Sequence, residues 1–217
     1  MKLFLLSTVY DKEEKKATGN SGKEKDYFFL YKGEHLFYNK GNSQERGRGM
    51  PAKQESCCFT GHRPTKLPWG YREEDSRCIL LKQRIKDALE SAYEEGYRHF
   101  LCGMAQGCDL YFCEAVLDLR NHCPDVTLEA AIPCPTQAES WPQDQWRRYM
   151  RLLSECDLET MVSAEYTPGC MQRRNRYMVD HASLLIAAFD GSPGGTRRTV
   201  EYALTRGVNV IDLPIPE

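Results

Sequence analysis

The chain has 217 residues, 41% of them hydrophobic and 28% charged, with a formal net charge of −2. This is an ordinary soluble composition, enough for one domain of moderate size and an appendage. It excludes a global attraction to nucleic acid or anionic membrane, and no apolar run reaches the ~18 residues that a membrane helix needs. The N-terminal MKLFLLSTVY lacks a small-residue cleavage site, so a signal peptide is rejected and a cytoplasmic protein is expected. The ten cysteines include no CxxC pair. They are expected to be reduced thiols acting as small hydrophobes, with no metal or cofactor required.

Residues 1–55 differ from the rest. Polar runs such as DKEEKKATGNSGKEKD surround one aromatic island, DYFFLYKGEHLFYNK, which could form a hairpin about KGEH. A lone hairpin is marginal, so most of the segment is expected to be a flexible extension. Met50 stands just before the regular part and is an alternative natural start.

From Cys57 onward strands and helices alternate. An apolar run at 56–60 leads into the Pro- and Gly-rich RPTKLPWGY. A helix follows over about 74–95, with Leu81, Ile85, Ala88, Leu89 and Ala92 at helical spacing. RHFLC at 98–102 is a strand, and a helix starts at Asp109 with Leu110, Cys113, Val116 and Leu117 on one face. VTLEAAI at 126–132 is the next strand. The helix over 143–155 places Trp146, Met150 and Leu153 in register. LETMVS at 158–163 is a strand, 170–182 a helix, and LLIAAF at 184–189 a fully apolar strand buried on both faces. A helix from Gly195 to Arg206 and the strand VNVIDL complete the pattern. Six alternations predict a doubly wound α/β domain over 56–217, with a mostly parallel sheet. Such sheets bind ligands at the carboxyl ends of their strands.

Three post-strand loops therefore attract attention: Gly61-His62-Arg63, the loop from Gly103 to Asp109, and the loop from Asp190 to Thr196. Two are glycine-rich and open into helices, which suits backbone amides that approach an anion. Neither matches GxGxxG, and GSPGGT lacks the P-loop lysine. In MQRRNRYMVD, Arg174 and Asn175 fall beside the stripe of Met171, Met178 and Ala182. Arg174 is either a structural salt bridge to Asp109 or Asp180, or a clamp on an anionic ligand. Asp109 is either a helix N-cap or a ligand group. His62 either touches ligand or braces its turn. Trp69 is expected to pack the loop down. Arg147, Arg148 and Arg151 form a local basic patch.

TGHRP with KLPWGY, then GMAQGCD, MQRRNRYMVD and GGTRRTVEYA, together resemble the YpsA-like family of bacterial proteins over about residues 55–213. That family lies in the SLOG superfamily with DprA and the LOG proteins. The resemblance implies a Rossmann-like fold and a nucleotide-derived ligand of nucleoside phosphate or ADP-ribose type, held as by a sensor. Gly194, Gly195, Thr196 and Thr199 would hold phosphate, with Gly103, Gly107 and Asp109 opposite and Arg63 and Arg174 neutralising the anion. Gly61, His62 and Asn175 would complete the site. The base-releasing LOG enzymes resemble M-H-x-R-K and PGGxGT followed by glutamates. Here Asn175 replaces the lysine, and Arg197, Arg198 and Thr199 replace the acidic residues. An N-glycosidase would need Glu201 or Asp109 as its carboxylate. A DprA-like single-strand DNA or protein-interaction module is a further alternative, and self-association is open.

Overall fold

The computed structural model describes residues 51–217 and, upstream of them, the backbone of two strands, β1 (Tyr27–Lys32) and β2 (His35–Lys40). The expectations for flexibility in the rest of residues 1–50, and for a start at Met50, fall outside the described residues. The remaining strands are β3 (Ser56–Gly61), β4 (His99–Cys102), β5 (Thr127–Ile132), β6 (Leu158–Met161), β7 (Leu184–Phe189) and β8 (Asn209–Pro214). The helices are α1 (Ser76–Glu94), α2 (Cys108–His122), α3 (Gln143–Glu155), α4 (Cys170–Asp180) and α5 (Gly195–Thr205).

These strands form one sheet in the order β1-β2-β6-β5-β4-β3-β7-β8. The six strands from β3 to β8 are parallel to one another. β1 and β2 pair antiparallel, and β2 continues the sheet antiparallel to β6, with Leu36 opposite Met161. The hairpin is therefore not alone. It joins an existing edge, which supplies the pairing that two isolated strands lack.

Each parallel strand from β3 to β7 is followed by a helix because the apolar period switches from near-continuous to helical. Asp75 opens α1 by accepting from the Arg77 amide at 3.0 Å. The five apolar positions expected along α1 are all buried. In α3 the buried residues are Tyr149, Leu152 and Leu153, while Trp146 and Met150 are half-buried. The stripe is thus turned from the expected one. Arg148 occupies the adjoining face, held by Glu73 and Glu114.

Alternate strand residues serve two cores. Cys57 and Phe59 pack with α1, α2 and α3, whereas Cys58 packs with α4 and α5. The ten cysteines are free thiols, nine of them buried. Burial pushes the Cys57, Cys58 and Cys108 thiols up, away from the reactive thiolate. Topology then places the site. From β3 the chain builds outward to β6, then returns to add β7 and β8 on the other side of β3. The connections after β3 and β7 leave towards opposite faces, so a crevice opens at their tips.

Candidate ligand site at the strand tips

The turn after β3 is stitched to the loop after β7. The His62 amide donates to the Ala188 carbonyl at 3.1 Å. The His62 ring, 3% exposed, places Nε2 2.7 Å from Asp190 Oδ1. Asp190 Oδ1 also accepts from the Ser192 amide at 2.8 Å, which shapes the segment leading into α5. The hydrogen bond from His62, then that from Ser192, holds the Asp190 carboxyl well below the usual carboxylate range. A 3₁₀ turn, Pro64–Lys66, next brings Lys66 Nζ to the Pro193 carbonyl at 2.7 Å and Ser192 Oγ at 3.4 Å.

The loop after β4 is built differently. Gly107 has φ +87°, and a Cβ there would lie 2.8 Å from both the His62 carbonyl and Pro64 Cδ. The Cys108 amide donates to that carbonyl at 3.2 Å. The amino end of α2 is thereby covered by the turn after β3. Gly103 lies against Arg174. A Cβ on it would strike the guanidinium and come 2.7 Å from Asp109 Oδ2. These two glycines permit close packing of protein on protein. Gly103 and Gly107, expected to face a phosphate, are not among the residues that line the cleft.

Arg174 is 4% exposed. Its Nη1 donates to the carbonyls of Gly103 and, at 3.4 Å, Ala131, and its Nε donates to Asn175 Oδ1 at 2.8 Å. Its Nη2 has no acceptor among the described residues. Neither expected salt bridge forms as a direct contact: Asp180 pairs with Arg206 at 3.0 Å, and Asp109 Oδ2 accepts from the Ala105 amide at 3.2 Å. Burial pushes the Asp109 carboxyl above its ordinary value, against the opposing pull of Arg174. Asn175 passes the chain on to Thr199 Oγ1 at 2.8 Å, and Thr199 donates to the Gly195 carbonyl at 2.9 Å. Thr199 is thus a brace for the first turn of α5. It lines a separate groove and not the cleft. Thr196 Oγ1 donates to the Gly61 carbonyl at 3.1 Å.

These contacts enclose a cleft of about 250 Å³. Of the expected site residues, Gly61, His62 and Arg63 line it from the turn after β3, Asp109, Arg174 and Asn175 from α2 and α4, and Gly195 and Thr196 from α5. Gly194 stands at its rim, where a Cβ would meet Lys66 Nζ at 2.9 Å. Gly194 caps α5 with no side-chain acceptor. The first amides of α5 therefore open towards the cleft with the positive end of the helix. Glu201 is elsewhere, exposed in the groove between α4 and α5 and paired with Arg197 at 2.9 Å.

Lys66, Asp190 and Gln172 also belong to this region; sequence reasoning passed over Lys66 and Gln172, and gave Asp190 only a place at the start of its loop. Lys66 lies three residues after Arg63, and Asp190 directly follows the most apolar strand, so both carried a readable signal. Reasoning also missed a buried network. Glu129, in the middle of β5 and 1% exposed, accepts from Thr160 at 2.6 Å and Tyr177 at 2.8 Å and lies 3.0 Å from His99 Nε2. Burial pushes its carboxyl up, but the hydrogen bonds from His99, Thr160 and Tyr177 outweigh this and hold it below the ordinary value. Trp69 is buried and packs the loop down. The basic patch is largely neutralised: Arg148 clasps Glu73 and Glu114, and Arg151 faces Glu114 and Glu155. Among the described residues no cluster of His, Cys, Asp and Glu could hold a metal, and no helix is long and apolar enough to cross a membrane.

Fold and cleft together define a Rossmann-like α/β protein whose loops converge at a topological switch point. The model of the YpsA family, described as the YspA SLOG family, matches residues 57–207, and the chain belongs to that family. The prophage-derived protein YoqJ of Bacillus subtilis is 33% identical over 138 residues, covering 55% of this chain and 80% of its own. A UPF0398 protein of Bacillus pumilus is 23% identical over 158 residues, covering 72% and 83%. Among solved structures, DNA processing protein A (DprA) of Helicobacter pylori shares the fold with a TM-score of 0.58 at 15% identity, covering 88% of this chain and 82% of that one. The Streptococcus pneumoniae DprA gives 0.56 at 18%, covering 85% of this chain and 57%, just over half, of that one.

Proposed function

We propose that the cleft binds a phosphate-bearing nucleotide-type ligand, as in a sensor or regulatory protein. One observation carries this reading: the uncapped amino end of α5 opens into the cleft between three cations that have no carboxylate partner among the described residues, Arg63, Lys66 and Arg174. Helix amides with the positive dipole end bind phosphate, and a guanidinium matches it in a fork. The carboxylates argue for binding over N-glycoside hydrolysis. Asp109 is buried and already engaged, and Glu201 is exposed, paired and outside the cleft. The test is a thermal-shift screen with AMP, ADP-ribose, NAD and cyclic nucleotides on the native protein and Gly195→Asp. A Cβ at Gly195 meets only Gln172 Nε2 at 3.7 Å, so the variant adds charge without a clash. Shifts abolished by the carboxylate support the reading. Shifts that survive it remove phosphate from this position.

A second reading is single-stranded DNA. The Helicobacter pylori DprA is described for its single-stranded DNA binding mode, and it shares this fold. Neutralisation of Arg148 and Arg151 takes away one candidate backbone-binding surface. Salt-dependent binding of an oligonucleotide, stronger than that of any mononucleotide, would favour this alternative.

A further inference from the structure

The cleft does not end at α4. Gln172 and Asn175 line it on one side and also line the groove of about 230 Å³ between α4 and α5. In that groove Arg176 lies over the Tyr202 ring at 5.4 Å, and Tyr202 is fixed by Asp180 at 3.0 Å. Arg198 projects beside them. Arg176 and Arg198 are exposed, and neither has a carboxylate partner among the described residues. Several other arginines do have one, including Arg77, Arg98, Arg120, Arg148, Arg197 and Arg206. The one carboxylate lining the groove, Glu201, is taken by Arg197.

Two groups of uncompensated cations thus lie in neighbouring pockets, with the side chains of Gln172 and Asn175 lining both. Arg198 and Tyr202 follow Gly195 by three and seven residues on α5, about 5 and 10 Å along its axis. That spacing suits two phosphates on different carbons of one nucleotide, not the adjacent phosphates of a diphosphate.

We infer that the groove is a second anion subsite, and that the ligand is a nucleotide carrying two separate phosphates, one at the amino end of α5 and one over Arg176 and Arg198. This rests on the proposed binding of a nucleotide phosphate in the cleft. The experiment is calorimetric titration of the full chain with AMP, ADP, adenosine 3′,5′-bisphosphate and oligothymidylate, repeated on the double variant Arg176→Ala, Arg198→Ala. Both side chains are exposed, and an unchanged melting temperature checks the fold. Expected is about tenfold tighter binding of the bisphosphate than of AMP or ADP, lost in the double variant while AMP binding stays constant. Equal affinity for AMP and the bisphosphate, or equal weakening of both in the variant, overturns the second subsite and leaves the cleft reading intact. Loss confined to oligothymidylate binding reassigns the groove to polynucleotide and also overturns it. If no nucleotide binds the native chain, the cleft reading itself fails, and this inference with it.

Discussion

Arg174 and Gly103 are locked face to face across 71 residues of sequence: the guanidinium of one donates to the carbonyl of the other, with no room for a Cβ between them. Gly103→Ala is therefore expected to destabilise by about 1–3 kcal/mol, the usual cost of overpacking a filled interior. Gly195→Ala, whose Cβ meets only Gln172 Nε2 at an ordinary 3.7 Å and which removes a flexible residue from a helix, is expected to be neutral or stabilising by up to about 1 kcal/mol. Urea unfolding of both variants checks the contrast, and equal losses would contradict it.

Asp190 carries a pH signature. Its carboxyl is held below the ordinary value of 3.8, so its pairing with His62 stabilises above that value and is lost as pH falls through the lowered one. The melting temperature of Asp190→Asn should lie below that of the native protein at neutral pH, and the gap should close in strong acid. The carboxylate is half exposed, so the effect is expected to be small and local. A gap that widens on acidification would reverse the sign.

Glu129 makes a larger, buried contribution. Glu129→Ala takes the shared buried acceptor from His99, Thr160 and Tyr177 and is expected to cost about 3–5 kcal/mol. Glu129→Gln keeps an acceptor for the two hydroxyls and should cost less. Because the native carboxyl titrates below its ordinary 4.5, the contribution is present above that value and fades as pH falls through the lowered one. Chemical denaturation from pH 7 to pH 3 would show the native protein converging on the glutamine variant.

The clasp of Glu73, Arg148 and Glu114 ties the loop before α1 to α2 and α3. Arg148→Ala removes the cation shared by two carboxylates, leaving Glu73 with Lys82 and Glu114 with Arg151, and it is expected to destabilise. The loss should shrink as salt screens these charges. Melting curves at low and high ionic strength test this. A salt-independent loss would point to packing of the arginine stem instead.

The alternation of strands and helices was readable because near-continuous apolar runs and helical spacing differ sharply. Gly61, His62, Arg63, Asp109, Gly195 and Thr196 were readable because they lie in or just beyond the loops after strands, and Arg174 and Asn175 because they fall beside the apolar stripe of a helix. Strand order was not, since nothing local in LETMVS shows that a hairpin far upstream pairs with it. The partner of His62 was hidden for the same reason: Asp190 is 128 residues away. Glycine was ambiguous in kind. At Gly195 it leaves space, whereas at Gly103 and Gly107 it lets protein fill it, and composition does not separate these uses. Charge misled where it was counted along the chain, because Arg148 and Arg151 meet their carboxylates only in three dimensions.

His62 makes three contacts with different parts of the fold: its amide with β7, its carbonyl with the start of α2, and its ring with Asp190. α2 and α5 lie on opposite faces of the sheet. A single residue therefore couples the two layers mechanically. A rearrangement of the Asp190 loop is expected to be felt beyond its own layer, because one residue, His62, links that loop to a helix on the far side.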